Sequence, residues 1–502
     1  MPKVTTRTLN LIGGKWVEAK SGKWFESRNP ADDGDVIGEV AKSGPDDVDA
    51  AVKAARKAFD GWRLTPAPKR SEIMGRVAQI LRERKEELSQ LLTREMGKVI
   101  EEARGDVQES IDTAAYAAGA GTRLMGETVP SELPDKFAMT VRVPMGVCGL
   151  IAPWNFPTAI PSWKLFPSLV CGNTVVFKPA SDTPIVATAL VRIFEEAGLP
   201  AGCINLVHGG GGDVGMAIVK HPGVALISFT GSSGVGREIA AECGRALKRC
   251  SLELGGKNGS IVMDDADLEL AVDGSLWGAF GTTGQRCTAT SRIVVHEKVK
   301  ADYLSRLVDR AKKLKLGPGN DESVKVGPLV NAGRVKEVQS WVDRGVKEGA
   351  KLLCGGKAAT NGALKKGWFY EPTVFDNVKA GDTLAQEEIF GPVLSVITVK
   401  TFDEAIAALN NSKYGLSASI YTRDVNRAFR AARDVETGIL YINSSTIGAE
   451  NHLPFGGMKE TGNGHREGGW TAYDIYSEIR TVYVDYSGKL QRAQIDNRKA
   501  GE

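Results

Sequence analysis

Gly281-Thr282-Thr283-Gly284-Gln285-Arg286-Cys287-Thr288 presents one cysteine after a run of glycines and small residues. Glycine allows close backbone approach, so a small electrophile can reach Cys287. The attacking species is a thiolate, which a positive neighbourhood favours. Arg286, next in the chain, is the expected source of that charge. A free cysteine is by default a small buried hydrophobe, so chemistry at Cys287 depends on its company.

Four further stretches supply that company. Ile151-Ala152-Pro153-Trp154-Asn155-Phe156-Pro157 sets one amide side chain between two prolines. It reads as an oriented donor or as a rigid aromatic-proline turn. Phe229-Thr230-Gly231-Ser232-Ser233-Gly234-Val235-Gly236 passes from a predicted strand into a helix, whose first N–H groups favour phosphate. Its G-x-x-G-x-G spacing departs from the usual dinucleotide fingerprint, so a structural turn stays open. In Leu252-Glu253-Leu254-Gly255-Gly256-Lys257-Asn258, a carboxylate sits between leucines. Burial there raises its pKa toward that of a general base, unless a buried ion pair holds it. Glu387-Glu388-Ile389-Phe390-Gly391-Pro392-Val393 offers a carboxylate for a sugar and an aromatic for a flat ring, or only a surface turn with a core phenylalanine.

All four stretches fall at ends of predicted strands, where α/β sheets bind ligands. Residues 8–42 read as short strands and turns. A helix follows Pro45, with Val48, Ala51, Val52, Ala55 and Phe59 on one face, and a longer helical region covers 69–122. Met139–Val143 alternates like a half-buried strand. From 151 to 265 strands alternate with helices, at 184–197, 212–220 and from Val235, which predicts right-handed crossovers and a parallel sheet. In the second half, helices are expected at 299–313, at 402–411 with a Thr401/Glu404 capping box, and at 424–436 between Thr422 and Gly438. Gly438–Ile442 reads as a buried strand. Arg480–Tyr486 alternates and reads as an edge strand open to another subunit. Residues 487–502 form a polar, mobile tail.

The 502 residues suffice for two or three domains. A net charge of +3 is too small to argue for nucleic acid or an anionic membrane. No apolar run spans a bilayer, and the first seven residues lack a signal-peptide core. Seven cysteines without CxxC spacing indicate reduced thiols and a cytoplasmic protein. Five scattered histidines indicate no metal site.

Taken in order, these motifs, joined by Leu453-Pro454-Phe455-Gly456-Gly457-Met458-Lys459, resemble the aldehyde dehydrogenase superfamily over residues 8–486. The resemblance implies an α/β fold with a Rossmann-type dinucleotide-binding domain (1–123 and 146–255) and an α/β catalytic domain (256–460). It adds a small β oligomerisation sheet (124–145 and 475–490), then the polar tail 491–502, and a homodimer or homotetramer. It implies Cys287 as nucleophile, Glu253 as general base and Asn155 as oxyanion donor. Trp154, Lys178, Ser181, Gly231, Ser232, Glu388 and Phe390 would bind the cofactor, with Lys178 on the adenine ribose and Glu388 on the nicotinamide ribose. Phe156, Trp163 and Phe455 would line an aldehyde tunnel; each is otherwise an ordinary core aromatic.

The expected reaction is NAD(P)-dependent oxidation of a small aldehyde to a carboxylate through a thiohemiacetal and a thioester on Cys287, with Glu253 favouring water over coenzyme A. The rival is a catalytically silent dinucleotide-binding or structural homologue. Three departures leave the subfamily open: Gly259 where proline is usual, Gly234 in the phosphate loop, and an additional His465. Ser181 stands where NAD-preferring relatives often carry glutamate, which tilts the cofactor toward NADP over NAD; its alternative role is a helix cap. The loop 444–452 offers no arginine for a carboxylate tail, so the tunnel chemistry points to an apolar aldehyde. Cys287-Thr288-Ala289-Thr290-Ser291-Arg292 with Arg466-Glu467-Gly468 instead resembles the branch that oxidises 2-oxoglutarate semialdehyde.

Overall fold

The computed structural model describes residues 6–496; residues 1–5 and the last part of the expected tail, 497–502, lie outside the described residues. Two seven-stranded sheets carry the site. The first has the strand order Arg249–Glu253, Leu226–Thr230, Val147–Ile151, Thr174–Lys178, Ile204–Leu206, Asn10–Ile12, Lys15–Val17. Its first five strands are parallel, as the alternation predicts, and the N-terminal hairpin extends it antiparallel. The parallel strands are almost wholly buried, the burial expected of a sheet with helices on both faces.

The second sheet runs Lys351–Cys354, Thr373–Asp376, Val393–Val399, Thr290–His296, Asn258–Val262, Ser417–Tyr421, Ile439–Ile442. Here Ile439–Ile442 is a half-buried edge strand rather than a buried one, because among the described residues it pairs with Ser417–Tyr421 alone. The expected helix at 424–436 is Val425–Asp434, capped by Asp424 and not by Thr422; the Thr422 hydroxyl donates to Asp265 instead. At Thr401 the side chain takes the Glu404 N–H, but Glu404 reaches back to Lys400 N–H rather than to the cap residue.

The helical region 69–122 divides into Ala67–Glu83, Lys85–Met96 and Ile100–Ala118. Gly97 breaks it with φ 95°, a left-handed cap that suits glycine. The stretch 212–220 begins as a wide turn at Gly211–Gly215 before the short helix Met216–Lys220.

A third, antiparallel sheet joins Thr128–Pro130, Lys136–Pro144 and Ser477–Asp485. Its alternating sequence does not translate into one buried face. Met139–Val143 is half-buried throughout, and Ser477–Asp485 is exposed along nearly its whole length. No helix among the described residues is long and apolar enough to cross a membrane.

Candidate active site

Three of the loop motifs leave one end of the first sheet. Lys178, Ile151, Phe229 and Leu252 lie in one row by register. Trp154-Asn155, Gly231-Ser232 and Glu253 therefore emerge together at the carboxyl ends of the strands. From Val147–Ile151 the chain first adds strands on one side, at Thr174–Lys178, and later on the other, at Leu226–Thr230. The crevice at such a reversal is where open α/β sheets bind ligands. The fourth motif departs from expectation. Glu388 and Phe390 precede a strand, Val393–Val399, of the second sheet, and reach the crevice from across it.

Two cavities meet at Cys287. One, of ≈ 680 Å³, is lined by Phe156, Trp163, Phe455, Glu253, Glu109 and Arg286 among others. The other, of ≈ 820 Å³, is lined by Trp154, Asn155, Gly231, Ser232, Glu388 and Phe390 among others. Cys287, Ile160, Thr230 and Leu254 border both. Of the tunnel candidates, the Trp163 and Phe455 rings pack 4.7 Å apart, with Cys287 against their cluster. On the other side, Trp154 and Phe390 meet edge to face at 5.4 Å. Asn155 is buried.

Cys287 follows a tight turn, Gly281–Gly284, in which Thr282 and Thr283 take left-handed φ of 50° and 57°. That region is strained for β-branched residues. Glu102 holds the turn: its carboxylate accepts Thr282 N–H at 2.7 Å and the Thr282 hydroxyl at 3.1 Å. It also binds Arg286 at 2.8 Å. Arg286 is therefore turned to Glu102 and is not a principal charge at the sulfur, contrary to the expected electropositive setting. Burial, then the carboxylates Glu388 and Glu253, push the thiol up to about 12.

Glu253 ends its strand under a loop from the chain's far end. Leu254 N–H donates to Thr461 C=O at 2.7 Å. A Cβ at Gly456 would lie 2.6 Å from Glu253 Oε1, so the motif's glycine makes room for the carboxylate. Among the described residues both Glu253 oxygens are buried without a hydrogen-bond partner, and the nearby cations Lys164 and Arg466 only oppose its shift. Burial, and then nearby Glu467, push its pKa well above the ordinary carboxylate value. Such an orphaned acid is the arrangement a general base requires, since it is free to take a proton from water.

The cofactor candidates are spread along the crevice. Glu388 accepts Gly256 N–H at 2.9 Å, and burial raises it to about 7. A Cβ on Gly255 would come within 2.3 Å of its Oε2. Ser232 is the N-cap of the helix Ser233–Arg245, so that helix's first N–H groups open at the cleft. The buried Thr230 hydroxyl has no partner. These groups fit a dinucleotide: a helix start for its phosphates, and a carboxylate and an ammonium for its sugar hydroxyls. Lys178 and Ser181 do not line the cleft beside Cys287. Lys178 Nζ donates to Pro179 C=O at 2.8 Å, and burial lowers it to about 8. Ser181 is exposed and donates to Gly209 C=O at 3.1 Å. It does not cap the next helix, whose N-cap is Thr183.

Residues outside the expected set also border the site. Lys164 is fully buried and paired with Glu467, and its Nζ donates to Ser228 Oγ at 3.0 Å. The lone lysine in the apolar helix Ala159–Val170 was the available signal. Glu102 and Glu109, on the helix Ile100–Ala118 far from every motif, gave none. No cluster of metal-ligating side chains occurs among the described residues.

Comparison with known proteins gives a consistent result. The family model described as "Aldehyde dehydrogenase family" matches residues 16–482. The chain is 43% identical over 476 residues to the alpha-ketoglutaric semialdehyde dehydrogenase of Bacillus subtilis (strain 168), covering 95% of this chain and 98% of that protein. It is also 43% identical to the alpha-ketoglutarate semialdehyde dehydrogenase of Haloferax volcanii, over 96% of this chain and all of the other. A solved structure of Staphylococcus aureus betaine aldehyde dehydrogenase in complex with NAD+ superposes with a TM-score of 0.94 at 35% identity, covering 96% of this chain and 95% of that one.

Proposed function

This chain belongs to the aldehyde dehydrogenase family, and from that premise we propose that it oxidises 2-oxoglutarate semialdehyde to 2-oxoglutarate. The enzyme class is an NAD(P)-dependent aldehyde dehydrogenase forming a carboxylic acid. The observation that carries the site assignment is the junction of two cavities at Cys287, with an unpartnered Glu253 beside it. The names of the two 43%-identical relatives support the substrate.

In this reading the aldehyde occupies the cavity with the tunnel aromatics, and Cys287 sulfur attacks its carbon. The thiol gives its proton to solvent water as the bond forms, since burial and the nearby carboxylates favour the thiol over the thiolate. The Asn155 amide and the Cys287 backbone N–H receive the oxyanion; one such donor contributes about 3 kcal/mol in other enzymes. A bound nicotinamide, held by Glu388, Phe390 and Trp154, supplies the hydride acceptor. Glu253 then takes a proton from water, which attacks the thioester and frees the acid. Trp163 and Phe455 exclude bulk water from the acyl group. The test is kcat/KM for 2-oxoglutarate semialdehyde, hexanal and benzaldehyde. The semialdehyde is expected to lead by about a hundredfold; equal or higher values for hexanal or benzaldehyde reject it.

NADP is the favoured cofactor in this proposal. Ser181 places a hydroxyl, not a carboxylate, beyond the end of the Lys178 strand, which removes a charge that would repel a 2′-phosphate. Ser181→Glu should raise KM for NADP far more than for NAD. Equal changes in both would leave Ser181 without a role in the choice.

The exposed third sheet supports assembly through Ser477–Asp485 into a dimer or tetramer, and the seven free cysteines support a reducing, cytoplasmic setting. Deleting residues 478–502 is expected to give monomers or insoluble protein by sedimentation velocity. A soluble truncation with unchanged sedimentation would contradict the pairing.

A further inference from the structure

We propose that Arg286 is the specificity-determining cation of the substrate tunnel and receives the carboxylate at the far end of the aldehyde. The proposal rests on the anionic semialdehyde reading above and assigns the group that selects it. The loop 444–452 carries no arginine. The cation comes from the residue before the nucleophile.

Four charged side chains line the aldehyde cavity among the described residues: Glu109, Glu253, Glu467 and Arg286. Glu467 is already paired with buried Lys164, and Glu253 is committed to the thioester. Arg286 is the one cation on the wall. It also lines a neighbouring pocket, together with Glu109 and Phe156. A five-carbon aldehyde has four C–C bonds of about 1.5 Å each, a reach of roughly 6 Å at most. With its aldehyde carbon at Cys287, the carboxylate must end in the wall of the same cavity.

The guanidinium is fixed in place and keeps donors free. Nε donates to Thr282 Oγ1 at 3.0 Å and one terminal nitrogen to Glu102 at 2.8 Å. An arginine has five N–H donors, so two contacts leave a fork side for a carboxylate. The group lies 5.4 Å from the Phe156 ring centroid. Lys98 approaches the same ring at 3.8 Å but is paired with Asp106 behind it. Phe156 is thus a platform for cations, and the tunnel wall is not the purely apolar one that its aromatics alone suggest.

Glu109 would oppose an anion if ionised. Burial, and then Asp106, raise it to about 8, with Lys98 and Arg286 acting the other way. A carboxyl held above its ordinary range opposes an anion less, and when it keeps its proton it donates a hydrogen bond to the substrate carboxylate.

The experiment measures kcat/KM for 2-oxoglutarate semialdehyde, glutaric semialdehyde and pentanal in the wild type, Arg286→Gln and Arg286→Lys. The ratio of either anionic aldehyde to pentanal is expected to fall about 30- to 100-fold in Arg286→Gln, mainly through KM. Arg286→Lys should keep the ratio within about tenfold of wild type, because the charge remains. Parallel losses for all three aldehydes, or an unchanged ratio, overturn the proposal. If wild type prefers glutaric semialdehyde, the substrate assignment fails, and the response of the ratio still decides for or against Arg286. If wild type does not prefer either anionic aldehyde to pentanal, both fail. Should Arg286→Gln not fold, glutarate inhibition of pentanal oxidation in wild type and Arg286→Lys reads the same contact. Competitive inhibition of the wild type that the lysine variant keeps within about tenfold supports it, and absence of inhibition in the wild type overturns it.

Discussion

Purified Cys287→Ala should lose aldehyde oxidation by at least about 10⁴-fold in kcat, the scale expected when a covalent nucleophile is removed. Its affinity for NADP, measured by fluorescence titration, should change by less than about threefold. The reason is geometric. Cys287 stands where the two cavities meet, so its sulfur serves the aldehyde side while the cofactor contacts lie on other residues. Cys148, Cys171, Cys203 and Cys243 are buried, and none of the six other cysteines lines either cavity. No second thiol can stand in. Substantial turnover by Cys287→Ala would remove the covalent mechanism and favour direct hydration of the aldehyde.

Glu253→Gln should separate the two halves of the reaction. Glutamine keeps the shape but cannot take a proton from water, so steady-state kcat should fall by about 10²- to 10⁴-fold. The first turnover should remain fast, giving a burst of reduced cofactor close to one per active site. The pH profile carries the sign of the burial effect. A base works when ionised, and burial holds Glu253 well above the ordinary carboxylate value. Deacylation-limited kcat should therefore rise with pH above the range in which an exposed glutamate has already titrated. The glutamine variant should lose that limb. A variant with unchanged turnover and an unchanged limb would take Glu253 out of the mechanism.

The parts of the site legible in the sequence are those whose chemistry is local. Cys287 among its glycines, Glu253 between leucines and Asn155 between two prolines are each open to a structural reading, and only their order along the chain joins them into one candidate site. The strand–helix alternation from 151 to 265 fixes the sheet that carries them, because parallel strands buried on both faces read as continuous apolar runs. What the sequence hides is made by distant pairs. Glu102 holds Thr282 and Arg286 from 180 and 184 residues away. Lys164 meets Glu467 across 303 residues. Nothing in residues 281–288 says that Arg286 turns toward the tunnel and leaves the sulfur without its charge. The exposed strand Ser477–Asp485 misleads for another reason: alternation signals one buried face, yet this strand is exposed along nearly its whole length.

The most direct measurement is mass spectrometry of Glu253→Gln quenched after a single turnover with NADP and 2-oxoglutarate semialdehyde, followed by peptide mapping. Acylation replaces the thiol hydrogen with the substrate acyl group. The account predicts that mass on the peptide containing Cys287, in proportion to the burst, and its decay at the slow steady-state rate of the variant. A burst with no acyl mass on that peptide, or with the mass on another cysteine, would contradict it.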